Sequence, residues 1–286
     1  MASKTWFITG TSSGFGREWA RAALARGDRV ACTARDLAAI DDLVAEYGDA
    51  LLPLQLDVKD READFAAVRR AHEHFGRLDV LVNNAGYAQL GMAEELTEQQ
   101  VRDEMDTNAF GPLWITQAAL PILREQGGGH IVQVSSVAGI FAYPGVAMYN
   151  MSKWALEGFS QALAAEVAPF GIRVTVIEPG GFATGRDSRA GHTEHLEAYG
   201  SVWEMAREAA AARSAVLGDP QASAEALLRI VDSDAPPLRV FFGSNWLALA
   251  VEEYERRLAT WREWQPIAEL AEGPEATARL RALDGA

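Results

Sequence analysis

The hydrophobic pattern alternates short apolar runs with longer stretches of helical spacing. Thr5 to Thr9, Arg29 to Thr33, Leu51 to Leu56, Leu78 to Val82, Ile131 to Val134 and Ile172 to Ile177 have the length and bulk of buried strands. Between them, apolar residues recur every three or four positions up to Ala25, up to Tyr47, from Arg61 to Phe75, from Thr97 to Glu125 and from Ala147 onward. In the last stretch, Trp154, Ala155, Gly158, Phe159, Ala162, Leu163 and Val167 mark the buried stripe. Strand followed by helix, repeated six times, predicts an α/β fold: a doubly wound parallel sheet with helices on both faces. Leu238 to Phe242 adds a seventh short strand. The 97–125 stretch carries Asn108 in its middle and Pro112, which lacks a backbone donor, so a local irregularity is expected there.

After the sixth strand the periodicity lapses. Residues 182–201 contain Gly185, Gly191, His192 and His195 without a repeat, and a loop of that length after a strand end is expected to be functional. The stretch 182–213 is therefore read as a substrate-covering loop and helix. Helical patterns resume at 202–216 and 222–231. From Trp246 to Trp264, Leu247, Val251, Tyr254, Leu258 and Trp261 share one helical face. The chain is thus read as a single domain over 1–286 with a C-terminal helical extension at 244–286, loosely ordered after Gly273.

Charge and composition narrow the function. A net charge of −14 and a pI near 4.8 argue against nucleic acid or an anionic membrane surface as a partner. The single Cys32 excludes an intramolecular disulfide, and its place in an apolar run makes it a buried strand residue rather than a reactive thiol. His192 and His195 are three apart with no third ligand nearby, so no metal site is expected. No apolar run approaches a membrane span, and Met1-Ala2-Ser3-Lys4 leads straight into a strand, so a cytoplasmic location is expected.

Candidate chemistry lies where strands end. Gly10-Thr11-Ser12-Ser13-Gly14-Phe15-Gly16 joins the first strand to a helix, the place where backbone N–H groups can meet a pyrophosphate. The second strand ends in Ala34-Arg35-Asp36. The Arg35 guanidinium suits a ribose 2′-phosphate, favouring NADP(H) over NAD(H); the alternative is that Asp36 holds the ribose. Asp57, followed by Val58, could meet the adenine amino group or cap the next helix. Asn83-Asn84-Ala85-Gly86 lies at the same sheet edge, and the fifth strand delivers Ser135-Ser136 to it. Tyr149 and Lys153 are four apart on a helix and share a face. A phenol near pKa 10 is a poor base at neutrality, and lowering it to about 7 takes roughly 4 kcal/mol, part of which a neighbouring ammonium can supply.

Together, Thr9-Gly10-Thr11-Ser12-Ser13-Gly14-Phe15-Gly16, Asn83-Asn84-Ala85-Gly86, Asn108 with Gly111, Ser136, Tyr149-x-x-x-Lys153 and Pro179-Gly180 resemble the short-chain dehydrogenase/reductase family, over about Thr5 to Thr184. The resemblance implies a Rossmann-type sheet and a catalytic tetrad of Asn108, Ser136, Tyr149 and Lys153. Ser136 is chosen over Ser135 because the family's serine lies thirteen residues before its tyrosine. Thr184 matches the threonine that holds the nicotinamide carboxamide, and Asn108 is implied to position a water that relays protons toward Lys153. Phe182 is expected beside both cofactor and substrate. Ser13 stands where many NADP-dependent relatives carry a basic residue, leaving phosphate recognition to Arg35. Ala138, Ile140, Phe141, Tyr143, Met148, Phe182 and Trp203 are candidates to line an apolar substrate pocket. The expected activity is reversible hydride transfer between NADP(H) and a hydrophobic ketone or aldehyde and its alcohol, in a homodimer or homotetramer. Rival readings are an NADP(H)-sensing regulator with little catalysis and a nucleotide-sugar epimerase or dehydratase.

Overall fold

The structure, a computed structural model, describes residues 3–185, 190–214 and 216–284. Seven strands, β1 (Thr5–Ile8), β2 (Arg29–Ala34), β3 (Leu51–Gln55), β4 (Val80–Asn83), β5 (Gly129–Val134), β6 (Ile172–Pro179) and β7 (Arg239–Phe242), form one parallel sheet in the order β3-β2-β1-β4-β5-β6-β7. Chain order runs outward one way from β1 and the other way from β4. Between their carboxyl ends lies the switch point where open α/β sheets bind ligands. The strands read as unbroken apolar runs because helices cover both faces. Trp6 and Ile8 face one core with Trp19 and Leu227, while Phe7 faces the other with Leu81, Ile115 and Ile131.

The helices α1 (Gly14–Ala25), α2 (Asp41–Tyr47) and α3 (Arg61–Phe75) follow the first three strands. Asp60 caps α3 by accepting from the N–H groups of Glu62 and Ala63. The expected break near Asn108 is a π-turn, Asp106–Phe110, between α4 (Glu98–Met105) and α5 (Gly111–Glu125). Gly111 starts α5 against Val58: a Cβ there would lie 2.7 Å from the Val58 carbonyl oxygen. Then come α6 (Ala147–Val167), α7 (Gly200–Ser214) and α8 (Ala222–Asp232). Of the expected irregular stretch, Glu197–Tyr199 is a short 3-10 turn and α7 begins at Gly200; residues 186–189 lie outside the described residues.

The chain divides into two compact units, Met1–Gly243 and Ser244–Ala286. The second consists of α9 (Trp246–Glu263), α10 (Gln265–Glu272) and α11 (Pro274–Asp284). Beyond Gly273 the described residues form the helix α11. Pro274 suits a first helical position, the Thr277 hydroxyl hydrogen-bonds the Gly273 carbonyl at 3.0 Å, and Arg281 pairs with Glu269 at 2.8 Å. Among the described residues, no helix is long and apolar enough to cross a membrane and no cluster could hold a metal ion.

Candidate active site

The β1–α1 turn is shaped by three glycines with separate jobs. Gly10 and Gly14 have φ of +70° and +58°, which a side chain would strain. Gly16 has no room for one: a Cβ would lie 2.4 Å from the Gly10 carbonyl oxygen and 2.5 Å from Asn84 Nδ2. That amide donates to the carbonyls of Thr9 (2.7 Å) and Gly10 (3.1 Å), while Thr9 Oγ1 accepts from the N–H groups of Asn84 and Ala85, both at 2.9 Å. The two loops at the switch point are thus bolted together. Ser13 occupies the N-cap position of α1, and Phe15 stacks on Trp19 and meets Phe182 edge-on at 4.9 Å.

A cleft of about 540 Å³ opens above this turn. Gly10, Ser12, Ser13, Gly14, Phe15, Arg35, Asp57, Val58, Asn84, Ala85 and Gly86 line one end. Ser136, Tyr149, Lys153, Pro179, Gly180, Phe182 and Thr184 line the rest. Gly16 lies beneath the turn. Thr33, Ala34 and Arg35 line the cleft at the end of β2, and Asp36, whose carboxylate accepts from Ala38 N–H at 3.0 Å, does not. Asp57 also lines the cleft, and the cap of α3 is Asp60 instead. The glycine cradle and the Arg35 end fit a dinucleotide.

At the other end, β5 and α6 bring the reactive groups together. Ser136 accepts from Ala138 N–H at 3.1 Å and lies 3.4 Å from the Pro179 carbonyl, to which its hydroxyl donates. Tyr149 is 6% exposed and packs on Ala88, Ala138 and Val146. Lys153 is 4% exposed; its ammonium donates to the Val134 carbonyl at 2.9 Å and stands 5.7 Å from the Tyr149 ring centre. This cation is therefore held under the phenol by the end of a core strand. Asn108, fully buried, lies behind the cleft wall. Its amide donates to the Tyr87 carbonyl (2.8 Å) and Ser152 (3.0 Å), and its oxygen accepts from Tyr87 N–H at 3.1 Å. A Cβ on Gly86 would meet that oxygen at 2.9 Å and the Lys153 ammonium at 3.5 Å, so the two groups flank one glycine.

The family model for short chain dehydrogenases matches residues 4–195. The chain belongs to the short-chain dehydrogenase/reductase family. It is 38% identical over 274 residues to the oxidoreductase BOA17 of Botryotinia fuckeliana, covering 93% of this chain and 98% of that one. It is 33% identical to the oxidoreductase calM of Penicillium decumbens, covering 94% and 92% of the two chains. Among solved structures, a short-chain dehydrogenase from Streptomyces avermitilis superimposes with a TM-score of 0.86 at 39% identity, covering 94% and 98%. A 3-ketoacyl-(acyl-carrier-protein) reductase from Brucella melitensis, complexed with NADH, gives 0.71 at 28%, covering 84% and 97%. The protein is an oxidoreductase of this family, whose members bind a nicotinamide cofactor.

Of the residues expected to contact substrate, Ser136, Tyr149 and Phe182 line the cleft, and Ala138, Ile140, Phe141, Tyr143, Met148 and Trp203 do not. Ala138 packs behind Tyr149, and Phe141 and Tyr143 stack on each other at 6.2 Å. Trp203 is buried against Gly145 and donates its indole N–H to Glu95 at 3.0 Å, its ring stacked on His195.

Several structural members of this short-chain dehydrogenase/reductase site carry no motif. Asn150 holds the 138–143 loop, donating to the carbonyls of Ala138 and Phe141 and accepting from Tyr143 N–H. Glu104, one turn before Asn108, accepts from Gln89 N–H at 3.0 Å, and burial raises its carboxyl to about 7 against the pull of Gln89 N–H and Lys153. The two side chains therefore pair with one edge of segment 87–89 as a strand would. Gly191 pairs with the other edge, giving its N–H to Ala88 and accepting from Leu90 N–H. Glu95 completes the docking: it accepts from the N–H groups of Met92 and Leu196 and from the Trp203 indole. Only an asparagine inside a helix and a glutamate on its apolar side were available as sequence signals. Glu95→Ala strands three N–H donors, so the 190–203 segment is expected to become susceptible to limited proteolysis at concentrations where the unmodified protein resists.

Proposed function

We propose that the protein interconverts a hydrophobic ketone or aldehyde and the corresponding alcohol, using NADP(H), with Tyr149 as general acid and base. The observation that carries this reading is the placement of Tyr149, Lys153 and Ser136 along the same cleft as the glycine turn. The Gly10–Gly16 turn would hold the pyrophosphate of the cofactor and Thr184 and Pro179 its nicotinamide end, where the group would supply or take up hydride. Tyr149 gives its proton to the substrate oxygen on reduction and removes it on oxidation. Ser136 donates a hydrogen bond to that oxygen as negative charge develops on it. Lys153 favours the phenolate and reaches the nicotinamide ribose, and Asn108, held by Tyr87, orders a water on the path to Lys153. Phe182, Leu217 and Pro179 add apolar surface to a cleft that also carries Ser136, Tyr149 and Lys153, which supports an uncharged carbonyl or alcohol as substrate. The assay is oxidation of NADPH with a panel of bulky ketones and aldehydes; no turnover with any would sink the reading.

Arg35 supports NADP(H) because it lines the cleft just beyond the end of β2, whereas Asp36 does not. A charge-assisted hydrogen bond is worth about 1.5–3 kcal/mol, so Arg35→Ser is expected to weaken NADPH binding by roughly 10- to 100-fold. NADH binding should hardly change. Fluorescence titration of the two cofactors measures both, and equal losses for both would remove Arg35 from phosphate recognition.

The exposed Met151 and Trp154 on α6, and Phe110 at the start of α5, support association of copies through these helices. Light scattering should give a dimer or tetramer mass, and Trp154→Glu should lower it. A cytoplasmic location is part of the same proposal; fractionation of the source cells tests it.

A further inference from the structure

Glu157 and Glu178 are withdrawn from solvent, at 6% and 1% exposure, where α6 packs on β6. They share one counter-charge. Arg239 Nε, from β7, lies 2.9 Å from Glu157 Oε2 and 3.6 Å from Glu178 Oε1, and its Nη2 donates to Gln161 at 2.9 Å. A single N–H satisfies only the nearer oxygen, and Glu178 Oε1 is buried without a hydrogen-bond partner. The groups facing the pair are Arg239 from β7, Ser135 from the end of β5, and Lys153 and Gln161 from α6. Burial raises both carboxyls, Glu178 to about 8 with repulsion from Glu157 adding to it.

Tyr149, Lys153 and Glu157 follow at four-residue steps along one face of α6. The Lys153 charge thus has a phenol one turn to one side and a carboxyl one turn to the other. Neither glutamate lines the cleft.

We propose that Glu157 and Glu178 hold one proton between them, and that this proton reserves the positive charge of Lys153 for Tyr149. A second negative charge in the pair draws on the ammonium from the far side, and Tyr149 then keeps its proton to higher pH. Both are positioning residues, and they act through Lys153. The inference builds on Tyr149 as the acid, yet its test does not depend on turnover.

Infrared difference spectra of the whole protein between about pH 6 and pH 10 should show a protonated-carboxyl stretch that disappears across the range. Glu178→Gln should remove that component and leave those of Asp64 and Glu104. In parallel, ultraviolet difference titration, with Tyr149→Phe subtracted, reads the phenolate directly. In Glu178→Gln the Tyr149 midpoint should fall by about half a pH unit or more, because the pair can no longer gain its second charge. Identical infrared spectra overturn the shared proton, and an unmoved phenolate midpoint overturns its link to Lys153. If Glu178→Gln does not fold, the same two measurements on Glu157→Gln decide. A pH–rate profile recorded separately distinguishes the two readings: if the phenolate midpoint moves in Glu178→Gln and the profile does not, the shared proton stands and the reading of Tyr149 as the acid fails.

Discussion

Tyr149→Phe is expected to lower kcat by roughly 10²- to 10⁴-fold, the range that one positioned acid–base group contributes. The substitution keeps the ring that packs on Ala88, Ala138 and Val146 and deletes only the hydroxyl, so the fold around it should persist. The glycine turn and Arg35 are untouched, and NADPH should bind as before. Initial rates with the best carbonyl substrate and a fluorescence titration of NADPH separate the two effects. Turnover at the unmodified rate would remove Tyr149 from the chemistry. A large loss of cofactor affinity would mean that its hydroxyl does more for binding than for proton transfer.

Asp64→Asn is expected to stabilise the protein, and more so at higher pH. Asp64 lies on the buried face of α3, fully out of solvent, and neither carboxyl oxygen has a hydrogen-bond partner. Burial, with repulsion from Asp60 and Asp57, raises it from the usual 3.8 to about 8. The folded chain therefore holds a proton that the unfolded chain releases. That contribution is fully present below about pH 4 and is lost as pH climbs through about 8. A rise of that size sets a ceiling of about 6 kcal/mol on the loss, and relaxation around the site should reduce it to a few. Asparagine has the same shape and no charge, so the difference in Tm should be small near about pH 5 and largest near about pH 9. Equal differences at both would show that Asp64 ionises as an ordinary carboxyl.

The sheet and the location of its chemistry were legible in the linear pattern. Short β-rich runs alternating with three- and four-residue periodicity leave few arrangements other than a parallel sheet covered on both faces. Gly10, Gly14 and Gly16 stand out because backbone geometry and close contact demand glycine there, and Tyr149 and Lys153 because four residues make about one helical turn. Even the π-turn at 106–110 was signalled by Asn108 and Pro112 in a helical stretch. Features that depend on residues far apart in the chain emerged only on folding. Trp203 has the size of a pocket-lining residue, but Glu95, 108 positions earlier, takes its indole N–H. The residues after Gly273 lack an obvious stripe, yet Arg281 reaches Glu269 and Thr277 bonds Gly273, and they form a helix. Glu157 and Glu178 are ordinary surface letters until β6, β7 and α6 bring both beside one arginine. Burial and counter-charge are properties of the packed molecule, and no spacing along the chain encodes them.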